Sequence, residues 1–314
     1  MTHNYDIAVI GAGSGGLTVT GGAAQLGLKT VLFEAHEMGG DCLNVGCVPS
    51  KSIIAAAHAA HVSRASQAFG VTAAPDIDFA RTMAHVHEVI ATIAPHDSVE
   101  RFEGMGADVV RHRARLTGKN TIEAGGETYR AKRIVIATGS RPRIPETTGL
   151  SDTPYLTNET IWGLTEQPKH LVILGGGNIG IEMAQAFTRL GTKVTVVERN
   201  GIMGRDDQDA VDVVRARLTR EGVSFYEQAN VESVAKTPDG IEVMLSRGTT
   251  ISGSHLLVAT GRERNTDDLG LDAGGVKLDG DAIEVDARLR TSNRRIFAVG
   301  DCRKGPLFTH AAGY

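Results

Sequence analysis

The chain has 314 residues and a formal net charge of −4, and its 41% hydrophobic and 22% charged residues are typical of a globular protein of two or three domains. The negative charge and the lack of a basic run argue against a nucleic acid or an acidic membrane surface as a partner. No apolar run is long enough to span a membrane, the N-terminus enters a strand without a signal peptide, and there are only three cysteines. These features predict a cytoplasmic protein.

The first predicted strand, turn and helix recur in the second half of the chain. Residues 7–34 read IAVIGAGSGGLTVTGGAAQLGLKTVLFE, and residues 171–198 read LVILGGGNIGIEMAQAFTRLGTKVTVVE. The copies align without a gap, and each consists of a short apolar strand, a GxGxxG turn, an amphipathic helix, a second strand and an acid. The corresponding glycines and acids are Gly11, Gly13, Gly16 and Glu34 in the first copy, and Gly175, Gly177, Gly180 and Glu198 in the second.

This arrangement is the one that a dinucleotide requires. The first glycine permits a tight turn, the second lets the backbone approach a pyrophosphate, and the third lets the helix pack on the strand. The helix N-terminus then holds the phosphates, and the acid accepts hydrogen bonds from ribose hydroxyls. Two purely structural glycine-rich turns are the alternative, but they would not explain the duplication of the whole unit. We therefore predict two dinucleotide-binding sites.

Two of the three cysteines lie close together in the segment Gly39–Lys51, which reads GGDCLNVGCVPSK. In a straight helix the Cα atoms of Cys42 and Cys47 would be about 8.6 Å apart, whereas a disulfide needs roughly 4.4–6.8 Å. The pair is therefore either unbonded or carried on backbone that is not a regular helix. Gly46 gives the backbone freedom, and Pro49 suits the first turn of a helix that starts near Cys47. A helix N-terminus there would favour thiolate over thiol.

The remaining elements follow from apolar patterning. Helices are predicted over residues 48–67 and 79–103, and antiparallel strands with glycine turns between residues 108 and 130. Residues 133–140, RIVIATGS, and residues 255–262, HLLVATGR, are both buried-type strands that end in Ala-Thr-Gly. Each of these strands suits a chain that returns to its sheet beside a nucleotide.

The predicted fold class is α/β, with two Rossmann-like, three-layer ββα dinucleotide-binding domains. We place the first domain at residues 1–146, the second at residues 147–283, and a return to the first at residues 284–314. The segment PRIPETTGLSDTP links the first two, and the strand RRIFAVGDC carries the chain back. The second domain is thus inserted into a discontinuous first one.

At this point the residues resemble a known family. The paired GxGxxG segments, the CxxxxC followed by PSK, both ATG segments and the late AVGD are similar to the class I pyridine nucleotide–disulfide oxidoreductases. That family includes dihydrolipoamide dehydrogenase, glutathione reductase and mercuric reductase. The resemblance covers essentially the whole chain, and CLNVGCVPSK is its most specific part. LTNETIW and FTHAAGY are most similar to the mercuric reductase and lipoamide dehydrogenase-like branch.

The resemblance implies FAD in the first dinucleotide site and NAD(P)H in the second. Besides the motif glycines and acids, the residues implied to contact these cofactors are Gly40, Thr138, Gly139, Gly261 and Asp301. For the nicotinamide, Glu198 suits the free ribose hydroxyls of NADH. Arg199 and Arg205, in contrast, match the spacing of two arginines that bind the 2′-phosphate in NADPH-using relatives, with exposed loop charge as the alternative. We therefore predict that both nicotinamides work.

The resemblance also implies roles for individual side chains. Cys47 would be the charge-transfer thiol against the flavin, and Cys42 the interchange thiol that meets the substrate. Lys51 would lie near the flavin N5, and Glu182 would pair with that lysine near the nicotinamide. Asp301 would bind the ribityl chain of the flavin. Without the surrounding motifs, Lys51 and Glu182 would be interpreted as solvated helix residues.

The other candidate residues are interpreted as structural. Cys302 is expected to be a small core residue. His58 and His61 share a helix face, but no cysteine, aspartate or third histidine completes a metal site near them. We therefore predict no metal site.

Three features depart from the family pattern. Asp41 stands where many relatives have threonine, and its carboxylate would tend to raise the pKa of Cys42. Asn178 stands where relatives often have a tyrosine that covers the nicotinamide pocket. The chain ends at Tyr314, whereas relatives continue into an interface domain whose histidine, oriented by a glutamate, reaches the cysteines of the other subunit. The resemblance thus implies a fragment of a protein that is a homodimer at full length, and it leaves open whether the fragment is monomeric.

The function implied by the resemblance is an electron transfer in stages. NAD(P)H reduces FAD, FAD reduces the Cys42–Cys47 disulfide, and the dithiol reduces a disulfide or Hg(II), or is oxidised in reverse. One alternative is a flavin oxidase or diaphorase, against which the paired cysteines argue. Another is a non-catalytic dinucleotide-binding module with a redox-sensing or structural cysteine pair. Such a pair needs no hydride donor, so the two dinucleotide sites argue against it. The sequence does not fix the substrate among lipoamide, glutathione and mercuric ion.

Overall fold

The structure of the protein is a computed structural model, which describes residues 2–246 and 248–313. It contains two compact units. Unit 1 comprises Met1–Asn44, Ile90–Arg141 and Arg262–Tyr314, and unit 2 comprises Val45–Val89 and Pro142–Gly261. The predicted nucleotide-binding domains at residues 1–146, 147–283 and 284–314 are defined by the ligands they would bind, and that division stays a prediction.

The helices and strands are numbered in chain order. The α-helices are α1 (Ser14–Gln25), α2 (Gly40–Asn44), α3 (Cys47–Ala65), α4 (Phe79–Ile93), α5 (Val99–Gly104), α6 (Asn178–Arg189), α7 (Gln208–Glu221), α8 (Leu271–Gly274) and α9 (Thr309–Gly313). Short 3₁₀ helices cover Ser66–Phe69, Ala94–Asp97, Ile161–Gly163 and Gly300–Cys302. The strands are β1 (Thr2–Ile10), β2 (Thr30–Phe33), β3 (Ala107–Val110), β4 (Ala114–Gly118), β5 (Thr121–Ala124), β6 (Glu127–Ile136), β7 (Ser140–Pro142), β8 (His170–Leu174), β9 (Lys193–Val197), β10 (Ser224–Tyr226), β11 (Val231–Thr237), β12 (Gly240–Leu245), β13 (Thr250–Gly253), β14 (His255–Val258), β15 (Arg262–Arg264), β16 (Leu278–Asp279), β17 (Ala282–Ile283) and β18 (Ile296–Ala298).

Unit 1 is built on a sheet with the strand order β3-β2-β1-β6-β5-β4, and β18 also pairs with β6. Strands β3, β2, β1, β6 and β18 run parallel, whereas β4 and β5 form an antiparallel extension of β6. The middle of the sheet is fully buried at Ala8 and Val9, which is typical of a parallel sheet covered on both faces. Strand β18 pairs in parallel with β6, so the chain is part of this sheet again at Ile296–Ala298.

Unit 2 contains a four-stranded parallel sheet in the order β10-β9-β8-β14 and an antiparallel sheet in the order β11-β12-β13. Helix α6 buries Gly180, Ala184 and Phe187, which are spaced i, i+4 and i+7 on one helix face. Strand β14 pairs with β8, so the second ATG segment follows a strand beside the glycine loop, as the first one does. The structure confirms the α/β class with two Rossmann-like parallel sheets.

Two predicted elements differ from the observed ones. The predicted helix over residues 79–103 is broken into α4, the 3₁₀ helix Ala94–Asp97 and α5. Pro95 lies at the break, where proline disfavours a helical conformation in the residue before it. The prediction of antiparallel strands between residues 108 and 130 is wrong at its start, because β3 pairs in parallel with β2. A four-residue edge strand does not reveal its direction in its own sequence.

Candidate functional sites

The first glycine loop lies between β1 and α1 in unit 1. Gly11 has a φ of +107°, and a Cβ added there or at Gly16 would lie under 3.0 Å from a backbone carbonyl oxygen, that of Ala137 or of Gly11 itself. Both positions therefore require glycine. Gly13 differs, because its φ of −81° is open to any residue and an added Cβ would meet only the Cα of Gly40 at 3.9 Å. The backbone at Gly13 is thus left open for a ligand.

The second glycine loop repeats this geometry in unit 2. Gly175 has a φ of +110°, and an added Cβ would lie under 3.0 Å from the carbonyl oxygen of Ala259. A Cβ at Gly180 would collide with the carbonyl oxygen of Gly175. A Cβ at Gly177 would meet nothing within 4 Å. In both loops the first and third glycines therefore leave no room for a Cβ, and the second leaves the backbone open.

The acids at the ends of β2 and β9 support the glycine loops. Glu34 accepts the backbone N–H of Ala12 at 2.6 Å, and its other oxygen accepts the N–H two residues after itself at 2.7 Å. Glu198 repeats both bonds, with the N–H of Gly176 at 2.8 Å and the N–H two residues after itself at 2.9 Å. A carboxylate oxygen can accept a second hydrogen bond, so each acid can still bind a ribose hydroxyl.

Both loops fit a dinucleotide. Each opens a helix of 12 residues, and each helix presents its first backbone N–H groups beside an open second glycine. These are the donors and the space that a pyrophosphate needs. The residues present therefore fit one dinucleotide at each loop, as FAD and NAD(P)H both are.

The cysteine segment is an interrupted helix. Helix α2 ends at Asn44 and α3 begins at Cys47, so Val45 and Gly46 separate the two helices. The spacing of a straight helix thus does not apply to Cys42 and Cys47, and the predicted helix start at Cys47 is confirmed. Both cysteine side chains are partly exposed.

The turn before Cys42 packs on the first glycine loop within unit 1. A Cβ on Gly40 would lie 2.6 Å from the Cα of Gly13, so glycine is required for this approach. The side-chain amide of Asn44 donates to the carbonyls of Met38 and Gly40, both at 2.9 Å, and fixes the turn. Gly40 therefore lies at the first dinucleotide loop, where its implied role would place it.

Lys51 of α3 and Glu182 of α6 form an ion pair in unit 2. The ammonium Nζ lies 2.7 Å from one carboxylate oxygen and 3.0 Å from the other. Their side chains are 60% and 37% exposed, so the pair contributes little to folding, about 0–1 kcal/mol. The pairing implied by the resemblance is present, and its role in the reaction stays a prediction.

A network of charged and polar side chains in unit 1 joins four residues that are distant in sequence, namely Asp41, Ser140, Arg262 and Asp301. Arg262, only 12% exposed, donates to the carboxylate of Asp41 and to both oxygens of Ser140, at 2.7 and 2.8 Å. The hydroxyl of Ser140 in turn donates to Asp301 at 2.7 Å. Burial raises the pKa of Asp41, and Arg262 offsets part of that rise. Ser140 and Arg262 each directly follow an ATG segment, which is the signal that could have identified them.

The other implied cofactor residues lie near the loops of their own unit. Thr138 and Gly139 follow β6, and Gly261 follows β14, so each flanks the strand next to its glycine loop. Added Cβ atoms at both glycines would meet nothing within 4 Å. Arg199 and Arg205 are exposed on the segment after β9. Their exposure suits either a ligand phosphate or solvent.

Between residues 2 and 313, with residue 247 left aside, no helix has the length and hydrophobicity to cross a membrane.

The chain is similar to several known proteins. It is 35% identical over 322 residues to a dihydrolipoyl dehydrogenase of Thermus scotoductus, with 98% of this chain and 68% of that protein covered. It is 32% identical over 317 residues to a mercuric reductase of Lysinibacillus sphaericus, and the match spans 99% of this chain but only 58% of that protein. The solved Cu(II) complex of the HOCl-induced flavoprotein disulfide reductase RclA from Escherichia coli has a TM-score of 0.89 at 28% identity, with 99% of this chain and 68% of that chain covered.

A family model described as pyridine nucleotide-disulphide oxidoreductase matches residues 5–314. This match takes in both glycine loops, the cysteine segment and both ATG segments. The chain therefore belongs to the pyridine nucleotide-disulphide oxidoreductases, a family of FAD-dependent enzymes that use NAD(P)H.

Proposed function

We propose that this chain carries electrons from NAD(P)H through FAD to a redox-active Cys42–Cys47 pair, which then reduces a small disulfide or a mercuric ion. The observation that carries this proposal is the duplicated loop. Two units each hold an open second glycine at the start of a helix and an acid that braces the loop. A protein with one redox nucleotide needs one such loop, whereas hydride transfer between two nucleotides needs two.

The first site is proposed to hold FAD, which supplies a two-electron acceptor for hydride when it is bound. The N–H groups at the start of α1 would bind the pyrophosphate, and Glu34 the adenosine ribose. Asp301 would bind the ribityl chain, held in place by its hydrogen bond from Ser140 at 2.7 Å. Gly40 and the segment Thr138–Gly139 would line the same cofactor.

The second site is proposed to hold NADH or NADPH. The start of α6 would bind the pyrophosphate, and Glu198 would bind the adenosine ribose of NADH. Arg199 and Arg205 would offset that carboxylate when a 2′-phosphate is present, because both are exposed and follow it closely in the chain. Gly261 would line the same site from the strand beside the loop.

The two cysteines are proposed to have different tasks. Cys47 begins a helix of 19 residues and would be the charge-transfer thiol against the flavin. Cys42 would exchange with the substrate. The ion pair of Lys51 and Glu182 places a cation on α3 one turn after Cys47, where it would also stabilise negative charge that develops nearby.

Counting thiols separates this proposal from its alternatives. The FAD-loaded chain is incubated without oxygen with one equivalent of NADPH, and accessible thiols are counted before and after. The reaction NADPH + H⁺ + disulfide → NADP⁺ + two thiols predicts two new thiols per chain in the wild type and in Cys302→Ser. No gain is expected in Cys42→Ser. Consumption of NADPH with no new thiols in the wild type would instead indicate an oxidase or diaphorase.

A further inference from the structure

The backbone between the two cysteines is held by a tryptophan from a distant part of the sequence. The indole N–H of Trp162 donates to the carbonyl of Val45 at 3.1 Å, and both residues belong to unit 2. Val45 is the first residue of the break between α2 and α3. Trp162 is 5% exposed, and a buried indole N–H needs an acceptor. The acceptor is the carbonyl oxygen of Val45, which lies in the segment between Cys42 and Cys47.

Trp162 is itself fixed in place. It lies in the 3₁₀ helix Ile161–Gly163, and its carbonyl is 3.0 Å from the ring Nε2 of His87 on α4. Just before it, the hydroxyl of Thr160 accepts the backbone N–H of Thr157 at 2.9 Å and closes the turn that precedes the 3₁₀ helix. The segment that carries the indole is therefore itself held by hydrogen bonds.

The hydrogen bond from Trp162 to Val45 restricts the conformation of the link between the two cysteines. Gly46 follows Val45 and brings the conformational freedom of glycine to the two-residue link between the helices. Closing a disulfide requires the ordering of the chain between its two sulfurs, and a link that is already ordered lowers this entropic cost. A group that holds the Val45 carbonyl thus favours ring closure between the cysteines.

We propose that Trp162 is a positioning residue for the Cys42–Cys47 pair, and that its hydrogen bond to Val45 favours formation of the disulfide. This inference rests on the proposed redox role of the pair. In a glutathione buffer the two thiols of the chain lose two electrons and two protons. Glutathione disulfide takes these up and becomes two molecules of glutathione.

The test measures this equilibrium constant in mixtures of glutathione and its disulfide, using the FAD-loaded chain. Trp162→Phe keeps a ring and removes the N–H, and it should lower the constant about twofold or more, because the released link regains conformations that ring closure must then remove. Tyr226→Phe is the matched control, because it removes a polar group from an exposed aromatic side chain of the same unit and should leave the constant unchanged. The midpoint of urea unfolding is recorded for each variant.

A second measurement needs no change at Trp162. It is the only tryptophan of the chain, so its emission reports on its own surroundings and should differ between the oxidised and reduced pair. That difference should vanish in Cys42→Ser, which retains the flavin and cannot form the disulfide. If the wild type forms no Cys42–Cys47 disulfide, the proposed function itself is wrong. If the wild type forms it, the role of Trp162 is refuted when Trp162→Phe raises the constant or lowers it less than twofold, or when the emission does not respond to the redox state.

Discussion

Replacement of Glu221 by glutamine should destabilise unit 2 more than other carboxylate substitutions. Glu221 lies at the end of α7 and its side chain is 8% exposed. It accepts two hydrogen bonds from Arg189 of α6, at 2.7 and 2.8 Å, and forms an ion pair with Arg217. Arg189 is itself only 12% exposed. Glutamine would therefore leave a buried guanidinium without its counter-charge, which is costly.

The size of the effect follows from the pKa of Glu221. Burial alone would raise this pKa, but the bonds from Arg189 and Arg217 outweigh burial and lower it from 4.5 to about 2. At about 1.4 kcal/mol per pKa unit, the charged form contributes about 3 kcal/mol to folding. Because the folded pKa is the lower one, this contribution is complete above about pH 4.5 and is lost as the pH falls towards 2.

Urea unfolding at pH 7, followed by the emission of Trp162, measures the stability of unit 2. Glu221→Gln should lose about 3 kcal/mol relative to the wild type, and the difference should shrink as the pH is lowered from 4.5. Asp212→Asn is the control, because Asp212 lies on the same helix of unit 2 and forms an ion pair with Arg215, but its side chain is 61% exposed. Solvent screens its ion pair, so its effect should be much smaller. Equal losses in the two variants, or no loss in Glu221→Gln, would refute this reasoning.

Three further predictions concern the cofactors and the cysteines. The purified chain should release FAD and not FMN on denaturation, because the first loop is built for a pyrophosphate; mass spectrometry of the released flavin decides this. The ratio of kcat/KM for NADH and NADPH should stay below a hundredfold, about 2.7 kcal/mol, because Glu198 opposes Arg199 and Arg205; a larger ratio shows that one of these signals is not used. In the FAD-loaded chain Cys42→Ser should keep a long-wavelength charge-transfer absorbance and Cys47→Ser should abolish it; the reverse result would exchange the two roles.

Local signals predicted much of the candidate site. The glycine loops could be recognised because each constraint, a tight turn followed by a close helix–strand approach, involves residues that are near in sequence. The helix start at Cys47 was predictable for the same reason, from Gly46 and Pro49. The pairing of Lys51 with Glu182 came from the resemblance and not from the residues themselves, which would otherwise be interpreted as solvated.

Contacts between distant segments could not be predicted. Arg262 and Asp41 are 221 positions apart, and Trp162 and Val45 are 117 apart, so no periodicity or spacing links them. In the sequence Asp41 stands out only as a departure from the family pattern. Its basic partner is Arg262, the first residue of β15, and the fold brings the two together in unit 1. The break of the predicted helix at Pro95 is different, because the proline was a local signal that outweighed the apolar pattern.

The central claim is that the two glycine loops hold different nucleotides and that hydride passes between them. The most direct test adds one equivalent of NADH or NADPH, without oxygen, to the FAD-loaded chain and records the yellow flavin absorbance. The wild type should lose this absorbance with at least one nicotinamide. Gly177→Ala should keep its FAD and bleach at least tenfold more slowly, about 1.4 kcal/mol, because the new methyl group fits the backbone but fills the open space of the second loop. A wild-type chain that holds FAD and is bleached by neither nicotinamide would contradict the account.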